Sequence, residues 1–258
     1  MKYFLIALCA ALGLGLAQTS TTQDFMVQLG DFKSQAQLMS SSQRPLATIL
    51  LIHAGFPSDI DGTFINNGEV VSKNFLDIAK YLSNQGFAVA RYNKRYVTSA
   101  TEVDMGRYSQ LSRTDFIADA RAVLNVLRQN KIVDTNKLFV LGWSEGAAVA
   151  VQVALQEPLL RGLILHSPPV VVQGTDYETL PAMPKLGLPI LIQQGSSDDI
   201  TTADQTGRLE NALKNHSDAK VIYYPQFGHG LGTASNSQFA PISQKPLQDL
   251  EQWLLAHR

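Results

Sequence analysis

Leu141-Gly142-Trp143-Ser144-Glu145-Gly146-Ala147-Ala148 joins two runs of different character. Residues 138–142 read as a short buried strand, and the residues that follow read as a helix that continues through Gln156 until Pro158 forbids extension. A serine between two glycines on such a strand-to-helix turn has the pattern of a nucleophile elbow. The serine must occupy a sharp, strained turn at the sheet's carboxyl end, and glycines on either side let neighbouring backbone pass without a Cβ clash. Gly146, Ala147 and Ala148 also keep the first helical turn thin enough to lie close to a sheet. The five-residue pattern alone arises often by chance. The strand before it, the helix after it and the small residues around it make it specific, so Ser144 is the candidate nucleophile.

The same alternation of strand and helix extends to both sides. Residues 24–40 alternate apolar and polar, with Phe25, Val27, Leu29, Ala36 and Leu38 at period two, and predict an antiparallel edge hairpin. Residues 47–52 are almost continuously apolar, as a strand covered on both faces requires. Helical spacing over 74–85, stopped by Gly86, leads into a strand over 87–92, and a second helix is predicted over 112–129. Further strands follow at 162–165, 189–194 and 220–224, with helices over 203–215 and 246–257. This order predicts an α/β fold with a mostly parallel central sheet and helices on both faces. Residues 167–188 are too few for a cap domain; with Pro168, Pro169, Pro181 and Pro184 they predict a short lid segment, a loop with one short helix.

Of the 258 residues, 45% are apolar and 17% charged, enough for one sizeable core and a single catalytic domain over residues 18–258. Twenty-one basic side chains balance 22 acidic ones, and no Lys or Arg run could track a phosphate backbone, which argues against nucleic acid as a partner. Lys2 precedes an apolar stretch over 3–16 that ends in small residues before Gln18, so residues 1–17 read as a signal peptide cut near Ala17. A retained membrane anchor would need about 20 unbroken apolar residues. Export to the periplasm or the cell exterior follows as an expectation, with no stable membrane insertion after cleavage. Cys9, the only cysteine, falls within this segment, and Leu8 before it is bulkier than a lipoprotein attachment site accepts. The mature chain would then contain no thiol.

Two further stretches carry a family resemblance that covers nearly the whole mature chain. Together with the elbow, the loop Gly55-Phe56-Pro57-Ser58-Asp59-Ile60-Asp61-Gly62 and the stretch Arg91-Tyr92-Asn93-Lys94-Arg95-Tyr96 resemble the α/β-hydrolase family, in particular its esterase and peptidase-like members with little lid. Such relatives read Pro-x-Asp-x-Asp-Gly in the loop and Arg-Tyr-Asp-Lys-Arg-Gly in the second stretch. Asn93 and Tyr96 depart from that pattern, and a bulky residue at 96 is expected to reshape the loop beside the active site.

A serine hydroxyl needs an imidazole to take its proton and a carboxylate to hold that imidazole in the right tautomer. The resemblance implies the order Ser, acid, His. It puts the acid in the turn after the strand over 189–194, where Asp198 stands next to Asp199, with Asp176 a more distant alternative. It puts the base at His229, in the glycine-bearing loop after the last strand. Asp199 is otherwise a turn or helix-entry residue, His166 and His216 read as structural or solvent-facing, and His53 as loop-shaping. The resemblance also implies that backbone N–H groups of Gly55 and Glu145 form the oxyanion site, leaving the Glu145 carboxylate free to favour its helix N-terminus. Phe56, Trp143, Tyr177 and Phe227 are candidate lining for an acyl pocket or ordinary core.

These residues predict a serine hydrolase that cleaves a small carboxylic ester, with amide or thioester bonds as variants, through an acyl-enzyme. An acyltransferase on the same fold and a non-catalytic ligand-binding relative are the alternatives. No metal-ligand spacing, phosphate loop or dinucleotide fingerprint is present, so neither cofactor nor metal is expected. The sequence does not decide the oligomeric state.

Overall fold

The structure is a computed structural model and describes residues 19–170, 179–235 and 237–258. The expected signal peptide with Cys9, and the positions of Asp176 and Tyr177, lie outside the described residues.

The hairpin expected at 24–40 forms as β1 (Thr21–Leu29) and β2 (Phe32–Ser40), followed by β3 (Thr48–Ile52). A small hairpin, β4 (Thr63–Asn66) and β5 (Glu69–Lys73), leads into α1 (Asn74–Asn84) and β6 (Ala88–Tyr92). A second small hairpin, β7 (Val97–Ser99) and β8 (Glu102–Val103), and the single turn α2 (Met105–Tyr108) precede α3 (Arg113–Leu127). The elbow is flanked by β9 (Leu138–Trp143) and α4 (Glu145–Gln156), after which come β10 (Gly162–His166) and the short α5 (Thr179–Ala182). The chain ends with β11 (Ile190–Gly195), α6 (Ala203–Ala212), β12 (Ala219–Tyr224) and α7 (Gln244–His257).

One eight-stranded sheet runs in the order β1-β2-β6-β3-β9-β10-β11-β12. From β6 to β12 every pairing is parallel, and only the β1–β2 hairpin and its junction with β6 are antiparallel. Successive strand residues feed opposite faces, as a period of two demands. Leu50, Val140, Leu163 and Ile192 pack with α3 and α4, while Ile49, Leu51, Leu141 and Ile164 pack with α1 and α7. The sheet is therefore buried on both faces, which is why its central strands lack polar alternation.

Two hairpins escaped the sequence reading. The β4–β5 pair turns at Asn67-Gly68, both in the left-handed region at φ 50 and 81, the pair of residues that a tight hairpin turn favours. The alternation in Phe64-Ile65 and Val70-Val71 on either side is too short to register as strands by itself. Helix ends also moved: α1 stops at Asn84 and α3 runs over Arg113–Leu127. α6 stops at Ala212, and α7 begins at Gln244 because Pro246 falls in the first turn, where its missing N–H has no intrahelical partner to lose. The second half of the lid segment forms α5 and a 3-10 turn at Met183–Lys185, with Ala182, Met183 and Leu186 buried in the core beside α4 and α6.

The tightest packing surrounds the elbow. A Cβ on Gly142 would lie 2.3 Å from the Gly146 carbonyl oxygen, and one on Gly146 would lie 2.2 Å from the His53 carbonyl oxygen. Both obstacles are backbone and cannot swing aside. Gly146→Ala is therefore expected to destabilise the protein by about 2 kcal/mol or more, seen as a lower urea midpoint. An unchanged midpoint would mean that α4 can draw back from β3 at no cost.

Candidate active site

Ser144 sits between β9 and α4 with φ 55 and ψ −125, a backbone conformation that costs a non-glycine residue on the order of 1–3 kcal/mol. Its N–H donates to the His166 carbonyl at 2.9 Å, and its own carbonyl accepts from Ala147 N–H at 2.8 Å. These bonds hold the turn on both sides. Ser144 is also the N-cap of α4, yet its hydroxyl makes no capping bond. Serine at that position ordinarily bonds a first-turn N–H; here the hydroxyl is left available, and the residue is only half-buried.

Asp198 and His229 come together from the loops after β11 and β12. His229 Nδ1 donates to Asp198 Oδ2 at 2.9 Å, with both side chains buried. A carboxylate can only accept, so this bond puts an imidazole proton on Nδ1 and leaves Nε2 as the nitrogen that can accept one. Three more donors hold the carboxylate: Gln194 Nε2 on Oδ2 at 3.1 Å, and the N–H groups of Ile200 and Thr201 on Oδ1, each at 2.9 Å. Burial pushes the Asp198 pKa up, but the hydrogen bond and charge of His229 and the two backbone donors outweigh it and hold the group below its ordinary value. Asp199, the alternative acid, is exposed, and its backbone N–H meets the Gln238 side chain.

The histidine loop is tied to the elbow through Trp143 and Ser167. Trp143 Nε1 and Ser167 Oγ both donate to the His229 carbonyl at 3.0 Å, and the Trp143 and His229 rings lie 5.6 Å apart. Gln238 accepts from His229 N–H at 3.2 Å, and its backbone carbonyl accepts from Gly230 N–H at 2.7 Å. Gln194, Thr201, Ser167 and Gln238 did not emerge from the sequence. Only Gln194 carried a signal, as a polar residue closing the apolar run 190–192; it is fully buried and accepts from Thr206 at 2.7 Å.

The two expected oxyanion residues meet through the Glu145 side chain. A Cβ on Gly55 would lie 2.3 Å from Glu145 Oε2, so the carboxylate packs directly over that glycine. Glu145 stands in the first turn of α4, where a carboxylate favours the helix N-terminus, and also pairs with Arg113 at the start of α3. Behind the loop, the Lys94 ammonium is pushed down to about 7 by burial, against the pull of Glu145 and Asp119 and with Arg113 adding to the fall.

His53 is buried beneath this loop. Its Nε2 donates to the Tyr92 carbonyl at 2.5 Å and its ring stacks on Phe75 with 4.6 Å between centroids, in keeping with a loop-shaping role. His216 meets the Leu186 carbonyl of the lid segment at 2.9 Å. Phe227 stacks on Tyr224 and not with the other proposed lining residues. Phe56 and Trp143 instead adjoin Phe64 and Phe239, and the Phe239 ring lies 5.4 Å from that of His229. Among the described residues no group of three or more His, Cys, Asp or Glu side chains could hold a metal ion.

Tyr96, the first of the two departures from the family pattern, follows β6. Its φ of 66 is the left-handed conformation glycine adopts freely, and its side chain turns away from the elbow to bond Asp31 at 2.5 Å and lie under the Arg107 guanidinium. The Tyr96 ring meets Phe32 at the start of β2, with 5.5 Å between centroids. Asn93, the other departure, accepts from Ile60 N–H at 2.6 Å and donates to the Thr98 carbonyl at 3.2 Å, a donation that a carboxylate cannot make.

A strained serine at the carboxyl end of a central parallel strand, with a buried carboxylate–imidazole pair on the next loops along the same edge, defines the α/β-hydrolase fold. Within it the chain belongs to the dienelactone hydrolase family, whose model matches residues 66–256. By family it is a hydrolase. It is 32% identical over 125 residues to esterase EstD of Thermotoga maritima, an alignment covering 48% of this chain and 27% of EstD. Among solved structures it resembles dienelactone hydrolase of Anabaena variabilis, with TM-score 0.67, 15% identity, and 92% of this chain and 98% of that one covered. Acylaminoacyl peptidase of Pyrococcus horikoshii aligns with TM-score 0.71 and 14% identity, over 93% of this chain and 42% of its own length. At such identities the structural likeness speaks for the fold alone.

Burial also sets how His53 and His166 respond to acid. It pushes their pKa values down to about 3 and about 4, with the bond to the Tyr92 carbonyl and the Gln193 side chain opposing. In the unfolded chain both take a proton near pH 6.5, so below that the unfolded state binds more protons and stability falls with pH. Asp198, held below 3.8, adds its loss only in stronger acid. The unfolding free energy from urea titrations should drop between pH 7 and 5, by on the order of 1 kcal/mol per imidazole per unit, and the urea midpoint with it. A flat midpoint would mean that these two imidazoles are protonated in the fold.

Proposed function

We propose that the protein is a serine hydrolase that cleaves a carboxylic ester through an acyl-enzyme. One observation carries this reading: a buried imidazole whose Nδ1 is fixed by a carboxylate with three other donors, on a loop bonded to the turn of a strained serine with an uncapped hydroxyl. Ser144 Oγ attacks the ester carbonyl carbon as its proton passes to His229 Nε2, and the carbonyl oxygen becomes an oxyanion met by Gly55 and Glu145 N–H. The C–O bond to the alcohol then breaks as His229 returns the proton to the leaving oxygen. Water repeats the sequence on the acyl-enzyme, releasing the acid and restoring the serine.

The ester preference draws on the likeness to an esterase, and the half-buried Phe56, Phe64 and Phe239 beside His229 favour an apolar group on the substrate. Residues 18–258 act as one catalytic unit in this reading. Residues 1–17 are removed on export to the periplasm or cell exterior, so amino-terminal sequencing of the exported protein should begin at Gln18.

Short-chain nitrophenyl esters and a fluorophosphonate probe test the mechanism. Ser144→Ala and His229→Ala should lose turnover and labelling, and Asp198→Asn should lower kcat by on the order of 10⁴-fold through the wrong tautomer. Asp199→Asn should match the wild type. Equal turnover by Ser144→Ala and the wild type would end the assignment.

A further inference from the structure

Lys94 is buried, and among the described residues it forms no salt bridge. Its ammonium donates to two backbone carbonyls, Ala54 at 2.8 Å and Phe56 at 3.2 Å, and the Phe116 ring lies 4.1 Å from it. Between those carbonyls, the Gly55 carbonyl accepts from the Tyr108 hydroxyl at 3.4 Å. Three consecutive carbonyls are therefore held by two side chains. Neither neighbouring base behaves this way: Arg91 pairs with Asp61, and Arg95 with Asp119 and Asp115.

A trans peptide is planar, with its C=O and the following N–H pointing in opposite directions. Drawing the Ala54 carbonyl toward a buried ammonium therefore turns the Gly55 N–H outward, toward the surface where Gly55 is exposed against Glu145. The Tyr108 bond orients the next peptide in the same way. A donor on the carbonyl also polarises the amide, which makes its N–H the stronger donor.

We propose that Lys94, assisted by Tyr108, is a positioning residue that aims the Gly55 N–H at the oxyanion of the reaction. The assignment rests on the reading of Gly55 as an oxyanion donor. Stability offers no comparable reason for the residue. A buried charge with no carboxylate at salt-bridge distance is costly, and an apolar side chain of similar length would fill the space without that cost.

Lys94→Met and Tyr108→Phe separate the two explanations. For Lys94→Met we expect a urea midpoint equal to or above wild type, KM nearly unchanged, and kcat reduced about 10- to 100-fold, part of the loss that follows removal of an oxyanion donor. The rate of fluorophosphonate labelling should fall by a similar factor, because the phosphoryl oxygen occupies the same site. Tyr108→Phe should show the same split at smaller size. Failure of Lys94→Met to fold would make the residue structural and overturn the proposal, as would kcat within two-fold of wild type for both variants. A wild type that resists labelling would instead overturn the serine mechanism, so the two failures are distinguishable.

Discussion

The approach of α4 to the sheet governs everything at the carboxyl edge. Backbone atoms of Gly146 and the His53 carbonyl stand so close that one methyl group would not fit, and Gly142 faces the same limit from β9. Such contact draws the intervening residue into a left-handed turn and lifts its side chain out of the helix's own hydrogen bonding. The strain at Ser144 is local, while the packing that imposes it spans β3, β9 and α4. Contacts made for stability elsewhere thus hold in place a conformation that the serine alone would leave.

Charge inside the site is distributed by the same economy of donors. His53 is kept neutral by burial, so it contributes shape and a single hydrogen bond without placing a cation beneath the oxyanion loop. Asp198 is the reverse case: buried, yet held ionised because each oxygen has two donors. With its oxygens so occupied the carboxylate has little freedom to rotate, and the imidazole inherits that rigidity. The aromatic wall of Trp143 and Phe239 fixes the other side of the ring.

Much of this was legible because buried parallel strands and small-residue turns leave marks at fixed spacing. The runs 47–52, 138–142 and 189–194 announced the sheet, and the glycines around Ser144 announced the elbow. What could not be read were contacts between segments distant in the chain. Gln238 reaches both Ser197 and His229, and Ser167 reaches His229, but each is an unremarkable polar residue in a loop until the fold brings the loops together. Glu145 illustrates a subtler failure. Its place in the first turn of its helix was legible, whereas the guanidinium of Arg113 that pairs with it from α3 was not. A charged partner gives a stronger hydrogen bond than partial helix charges.

The stretch 91–96 shows how one short segment can serve three different constraints. Arg91 reaches back to Asp61, whose carbonyl receives the first N–H groups of α1, and so fixes the loop that follows Gly55. Arg95 reaches forward to Asp119 and secures α3, the helix that supplies Arg113 to Glu145. Lys94, between them on the strand's exit, bonds neither of these carboxylates and holds the loop's carbonyls instead. A compact ammonium suits that task because its donors can diverge to two separate oxygens, whereas a planar guanidinium favours the paired oxygens of one carboxylate. The order of bases in Arg-Tyr-Asn-Lys-Arg therefore follows from the partners each meets: carboxylates at both ends, backbone between.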